Sequence, residues 1–122
     1  MTVSASPIVK RAYGSIPNSA SCGGHTFSRS DINTAINTGV NDNNSGSSPS
    51  GYPHAYYQYA DEHITLSCND ASDYLEFPLE NNRAFTGGSP GAYRAIFTED
   101  GEFCAVVYHA STSDNSFAQC RY

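Results

Sequence analysis

The sequence predicts an α+β fold, one amphipathic α-helix packed on a mainly antiparallel β-sheet and held by two disulfides. Three observations predict it. Apolar residues recur at helical spacing in a single stretch, short strand candidates separated by turn residues fill most of the rest, and four cysteines are spread along the chain without a CxxC spacing. With 122 residues the chain is expected to be one folding unit whose modest core gains from cross-links. Nine Tyr and six Phe supply bulk, and abundant Gly, Ser, Asn and Asp favour strands and loops over an all-α arrangement.

The first eleven residues, MTVSASPIVKR, lack the apolar run of a signal peptide, and Lys10-Arg11 followed by Ala12 reads as a dibasic processing site. Residues 1–11 are therefore expected to be a pro-segment or disordered tail and residues 12–122 the domain. Beyond this floppy start, Ser28 with Asp31 three positions on forms a capping pattern ahead of Ile32, Ala35, Ile36 and Val40, which begins the helix. Gly39 marks its expected end. The run from Asn41 to Gly51 reads as a polar surface loop carrying the glycosylation sequon Asn43-Asn44-Ser45. Strand candidates follow at Tyr52 to Tyr59, Ile64 to Cys68, Tyr74 to Leu79, Tyr93 to Thr98, Phe103 to His109 and Phe117 to Arg121. Gly87 to Gly91 marks a turn, and Glu99-Asp100-Gly101 a hairpin turn.

The spacings of Cys22, Cys68, Cys104 and Cys120 suit disulfides rather than a metal site, and disulfides imply an oxidising compartment. Spacing alone selects none of the three connectivities. A link between Cys22 and Cys120 would tie the ends of the folded region together, and closing a loop of about 100 residues removes roughly 4.7 kcal/mol of chain entropy. With disulfides implying an oxidising compartment and no stretch of transmembrane length, a secreted, extracellular chain without a membrane partner is expected.

Six basic against twelve acidic residues give a net charge of −6, and loss of Lys10 and Arg11 would leave four against twelve, or −8. That balance argues against broad wrapping of nucleic acid and leaves room for a local grip on one or two nucleotides. Alternation from Tyr74 to Leu79 puts Leu75, Phe77 and Leu79 on one strand face and Glu76 on the other. Arg94 and His54 lie in separate strand candidates, and His109 closes a nearly apolar one. A carboxylate, a guanidinium and imidazoles without a metal motif suit proton transfer at a phosphate, with the cation holding the oxyanion. RNA carries its own nucleophile, the 2′-OH, so no nucleophilic Ser or Cys, no metal and no cofactor is required.

Tyr52-Pro53-His54, Tyr74-Leu75-Glu76-Phe77-Pro78-Leu79, Gly88-Ser89-Pro90-Gly91-Ala92-Tyr93-Arg94 and Val107-Tyr108-His109, followed by Phe117-Ala118-Gln119-Cys120, stand in one order. Together they resemble the signature segments of the fungal guanyl-specific ribonucleases, over essentially Cys22 to Cys120. Asp61 to Leu66 and Gly101 to Cys104 are most similar to the purine-preferring smut ribonuclease branch. The resemblance implies disulfides Cys22–Cys120 and Cys68–Cys104. It implies Glu76 as the base that takes the 2′-OH proton, His109 as the acid that protonates the departing 5′-oxygen, and Tyr52, His54 and Arg94 around the phosphate. His54 would be able to assist or replace Glu76. Phe117 would pack against the phosphate site, Tyr56 would stack on the base, and Tyr57, Gln58 and Tyr59 would form the recognition loop. Glu62, then Asp61, would be the carboxylate reading the purine edge, and Asn115 would touch the base. Tyr93, where the family places an acidic residue, and Ala55, in place of a longer polar one, depart from the pattern.

The expected partner is single-stranded RNA, cleaved on the 3′ side of purines, by a monomer with no obligate protein partner. A secreted effector built on the same scaffold, with little or no turnover, is the alternative; such proteins commonly lose the catalytic set that this chain keeps. A ribosome-cleaving toxin would need Lys-rich docking loops, and the one Lys here is Lys10. A lectin-like module would explain the Tyr and Asn content but not the ordered segments.

Overall fold

The computed structural model describes residues 16–56, 64–68, 74–109 and 117–122. A β-hairpin opens the described chain, with β1 (Ser19–Cys22) pairing antiparallel to β2 (His25–Ser28). No element is expected here from apolar spacing or strand propensity. The hairpin's signal is Gly23-Gly24, a two-residue turn at positive φ between short segments that place Ala20, Cys22 and Phe27 inward.

Helix α1 (Arg29–Ser45) begins where the capping pattern places it. The Ser28 side chain accepts from the Asp31 N–H, and the Asp31 carboxylate accepts from the Ser28 N–H. Its end differs from the expectation. Gly39 does not stop the helix, the Asn-rich turn through Ser45 is helical, and Gly46 closes it in the left-handed conformation at φ 81°. Gly39 is instead a packing site, because a Cβ there would run into the Phe97 ring. Gly39→Ala is expected to destabilise the fold by about 1–3 kcal/mol through overpacking, despite alanine's better helix propensity, as read by denaturant unfolding. Asn43 of the sequon is exposed on the last turn of the helix rather than in a loop.

Among the described residues five strands form the main sheet: β3 (His54–Tyr56), β4 (Tyr74–Pro78), β5 (Tyr93–Thr98), β6 (Phe103–Tyr108) and β7 (Ala118–Gln119), in that order with every neighbour antiparallel. Four candidates lose end residues among those described: Tyr52 and Pro53 precede β3, Leu79 follows β4, His109 follows β6, and Phe117 and Arg121 flank β7 without joining it. Ile64 to Cys68 is not a strand. It is tied to the sheet by other means: the Gln119 amide pairs with both the N–H and C=O of Thr65, Ser67 N–H donates to Cys104 C=O, and Cys68 is bonded to Cys104. The second disulfide joins Cys22 to Cys120.

Alternation divides the sheet as the sequence implies. Leu75, Phe77, Ala95, Phe97, Phe103 and Val106 pack with Ile32, Ala35 and Ile36 of the helix. The opposite face carries a smaller apolar cluster of Tyr56, Ile64, Ile96, Ala105 and Val107, and the same parity places Glu76 and Arg94 there. The helix N-terminus is locked to the segment after β4, since Asn82 N–H and the Asn81 amide both donate to Asp31. Burial pushes the Asp31 carboxyl up, but the hydrogen bonds from Asn82, Ser28 and Asn81 outweigh it and hold the group below the usual aspartate value. A depressed folded value means that Asp31 stabilises the fold above its unfolded pKa and that this contribution is lost as pH falls through the folded one. Asp31→Asn is therefore expected to cost about 1–2 kcal/mol near neutrality and progressively less as pH falls below the unfolded value of 3.8, as read by paired unfolding curves.

Candidate active site

Strand register brings His54, Glu76 and Arg94 together, and Tyr52 joins them from the segment before β3 through its hydroxyl. His54 lies directly across from Glu76, and Arg94 lies across from Pro78, two residues along the same face from Glu76. Both members of the central ion pair are buried, Glu76 at 6% exposure and Arg94 at 4%. Glu76 Oε1 stands 3.4 Å from Arg94 Nε, and Oε2 stands 3.7 Å from Nδ1 of the exposed His54. A carboxylate so far out of water is held in place by the cation beside it.

Backbone carbonyls fix the guanidinium. Arg94 Nη1 donates to Gly91, Tyr93 and Pro90 carbonyls at 2.9, 3.0 and 3.3 Å. These anchors escape side-chain reasoning; their signal is the turn-forming Gly87 to Gly91 stretch, and they place the arginine rigidly at the sheet end. Nη2 donates to the Tyr52 hydroxyl at 3.0 Å, with the guanidinium carbon 5.0 Å from the Tyr52 ring centre. Because that hydroxyl accepts from Arg94, its own O–H is aimed elsewhere as a donor. Tyr52 also packs on His54, ring centres 4.4 Å apart. The loop before it is pinned across the cleft, Ser50 Oγ donating to Gly88 C=O and accepting from Gly88 N–H.

The fifth residue, His109, follows β6, and its N–H donates to Ala92 C=O, so it sits at the same end of the sheet as Arg94. Phe117 stacks on the His109 ring at 4.1 Å and 21° and reaches the Tyr56 ring at 6.0 Å. A chain of side chains thus borders one face: Tyr52, Arg94, Glu76 and His54 on one side, His109, Phe117 and Tyr56 on the other. Tyr56 is 3% exposed, packed with Ile64 and Ile96. Tyr57, Gln58, Tyr59, Asp61, Glu62 and Asn115, expected around the base, lie outside the described residues.

Tyr93, which departs from the resemblance, lies on the reverse face in a column of rings. His25 stacks on it at 4.8 Å and 22°, and Tyr108 lies beyond at 6.3 Å. Among the described residues no helix is long and apolar enough to cross a membrane.

A family model described as ribonuclease matches residues 16–121. The chain is similar to guanyl-specific ribonuclease U1 of Ustilago sphaerogena, 39% identical over 106 residues, which is 85% of this chain and 96% of that protein. It is also similar to guanyl-specific ribonuclease T1 of Aspergillus oryzae, 34% identical over 81% of this chain and 75% of that one. Among solved structures it resembles a ribonuclease from Hericium erinaceus at 36% identity and a TM-score of 0.64, covering 85% of this chain and 99% of the other.

Proposed function

The chain belongs to the ribonuclease family, and from that premise we propose that it is a secreted endoribonuclease cutting single-stranded RNA on the 3′ side of guanine. The observation that carries the reading is the buried Glu76 carboxylate between Arg94 and His54, on the sheet face and at the strand end that also hold His109. In the first step Glu76 takes the 2′-OH proton, O2′ attacks phosphorus, and His109 protonates the departing O5′, leaving a 2′,3′-cyclic phosphate. In the second the roles exchange: His109 takes a proton from water, and Glu76 returns one to O2′. Tyr52 donates to a non-bridging phosphate oxygen, and the charge of Arg94 opposes the charge that grows on those oxygens. Phe117 keeps the His109 ring oriented by stacking.

Base recognition is proposed for Tyr56 to Tyr59, Glu62 or Asp61, and Asn115. Tyr56 is buried in this arrangement, so stacking on a base requires its ring to turn outward from between Tyr74 and Phe117. Guanine is favoured over adenine because several similar proteins carry the guanyl-specific name. Processing after Arg11, a domain from Ala12 onward and a monomeric state complete the proposal.

Initial rates on GpC, ApC, CpC and UpC, which differ only in the 5′ base, test it. GpC should be cleaved fastest and the pyrimidine dinucleotides hardly at all, and full activity should survive excess EDTA, since arginine, tyrosine and the two proton carriers supply the chemistry. Equal rates on all four would contradict the specificity. Loss of activity on chelation would contradict the mechanism, and no cleavage of any would leave the effector alternative.

A further inference from the structure

A cavity of about 290 Å³ opens on the reverse side of the loop that holds Arg94, lined among others by His25, Asn81, Arg83, Pro90, Gly91 and Tyr93. We propose that it is a second base-binding subsite, taking the nucleobase of a nucleotide beyond the two that flank the cut phosphate on the same RNA strand. The inference rests on the ribonuclease reading and extends it to a residue set outside the catalytic face.

Four observations point to a base. The cavity is at the small end of ligand pockets, about right for one planar ring system rather than a whole nucleotide. Its wall carries His25 and Tyr93, the near end of an aromatic column that continues behind them to Tyr108 and ends on the exposed His25 ring, so an incoming base would extend an existing stack. Asn81 supplies polar edge atoms beside that ring: its Oδ1 meets His25 Nε2 at 2.5 Å, and its amide nitrogen is fixed by Thr26 C=O and Asp31. Arg83, whose side chain is 75% exposed, stands at the rim and is steadied by Glu80 at 2.7 Å.

Location supplies the link to the reaction. Pro90 and Gly91 line the cavity and also accept from Arg94 Nη1, so one loop separates the proposed base site from the proposed phosphate site. In a chain of net charge −6, two arginines therefore flank the path that a strand would take over this loop. Such a grip is local, matching an acidic enzyme that holds few nucleotides. A stacked base is sequence-tolerant, so the subsite should add affinity for longer RNA without changing the base read at the cut.

The test compares GpC with a hexanucleotide containing one guanosine, for wild type, His25→Ala and His25→Phe. His25→Ala should lose about fivefold or more in kcat/KM on the hexanucleotide, through KM, and nothing on GpC; His25→Phe should keep the wild-type values. Replacing the flanking bases one at a time by abasic sites should find one position at which the wild type loses the same factor and His25→Ala loses no more. An equal loss on both substrates, which a merely structural His25 would give, overturns the proposal, as does an unchanged hexanucleotide rate. Failure of the wild type on both substrates would bring down the ribonuclease reading and the subsite with it.

Discussion

His109→Ala is expected to lose on the order of 1,000- to 10,000-fold in kcat/KM, and more than Glu76→Ala loses. The asymmetry follows from what stands beside each group. Glu76 has His54 at 3.7 Å, and that imidazole can accept the 2′-OH proton when the carboxylate is gone. The proposed mechanism gives the leaving oxygen to His109, which is held by its backbone bond to Ala92 and by the Phe117 ring. The pH profile separates the two cases. In the wild type the rising limb reports loss of a proton from the base and the falling limb loss of one from the acid, both belonging to a linked set. In Glu76→Ala the rising limb should move to higher pH, since an imidazole rather than a carboxylate must then take the proton. A dead Glu76→Ala beside an active His109→Ala would reverse the assignment.

Arg94→Ala is expected to destabilise the fold by about 3–5 kcal/mol as well as to abolish cleavage. Removing it strips the buried Glu76 carboxylate of its cation and leaves the Gly91 and Tyr93 carbonyls and the Tyr52 hydroxyl without the donor that orders them. Arg94→Met combined with Glu76→Gln removes both charges together and should recover much of the stability while remaining inactive. Denaturant unfolding of the two variants checks the first effect and initial rates the second. A stable, inactive Arg94→Ala would mean that the pair contributes to catalysis without holding the fold.

Much of this site is legible in the chain because strand alternation has a period of two: once Leu75 and Phe77 face a core, Glu76 must face away, and Arg94 keeps parity with it across the register. The helix start is legible for a similarly local reason, the reciprocal Ser28 and Asp31 bonds. Its end is not, because Gly39 reads as a terminator but sits under the Phe97 ring, a tertiary fact that no local pattern carries. The β1–β2 hairpin was legible in Gly23-Gly24 yet masked by the polar composition around it. Ile64 to Cys68 had strand residues but is fastened by the Gln119 side chain and a disulfide instead of a ladder. The Arg94 anchors and the His25–Tyr93 stack depend on backbone carbonyls and on rings 68 positions apart in sequence (25 to 93), which residue type alone does not signal.

The most direct measurement of the central claim is a time course on a defined single-stranded RNA in the presence of EDTA, with every cut mapped and every 3′ end identified chemically. The account predicts cuts on the 3′ side of guanosines, with 2′,3′-cyclic phosphate accumulating first and 3′-phosphate following. Cuts independent of the base, or 3′-hydroxyl ends from the earliest times, would contradict it, because neither can arise from attack by the 2′-OH of a recognised guanosine.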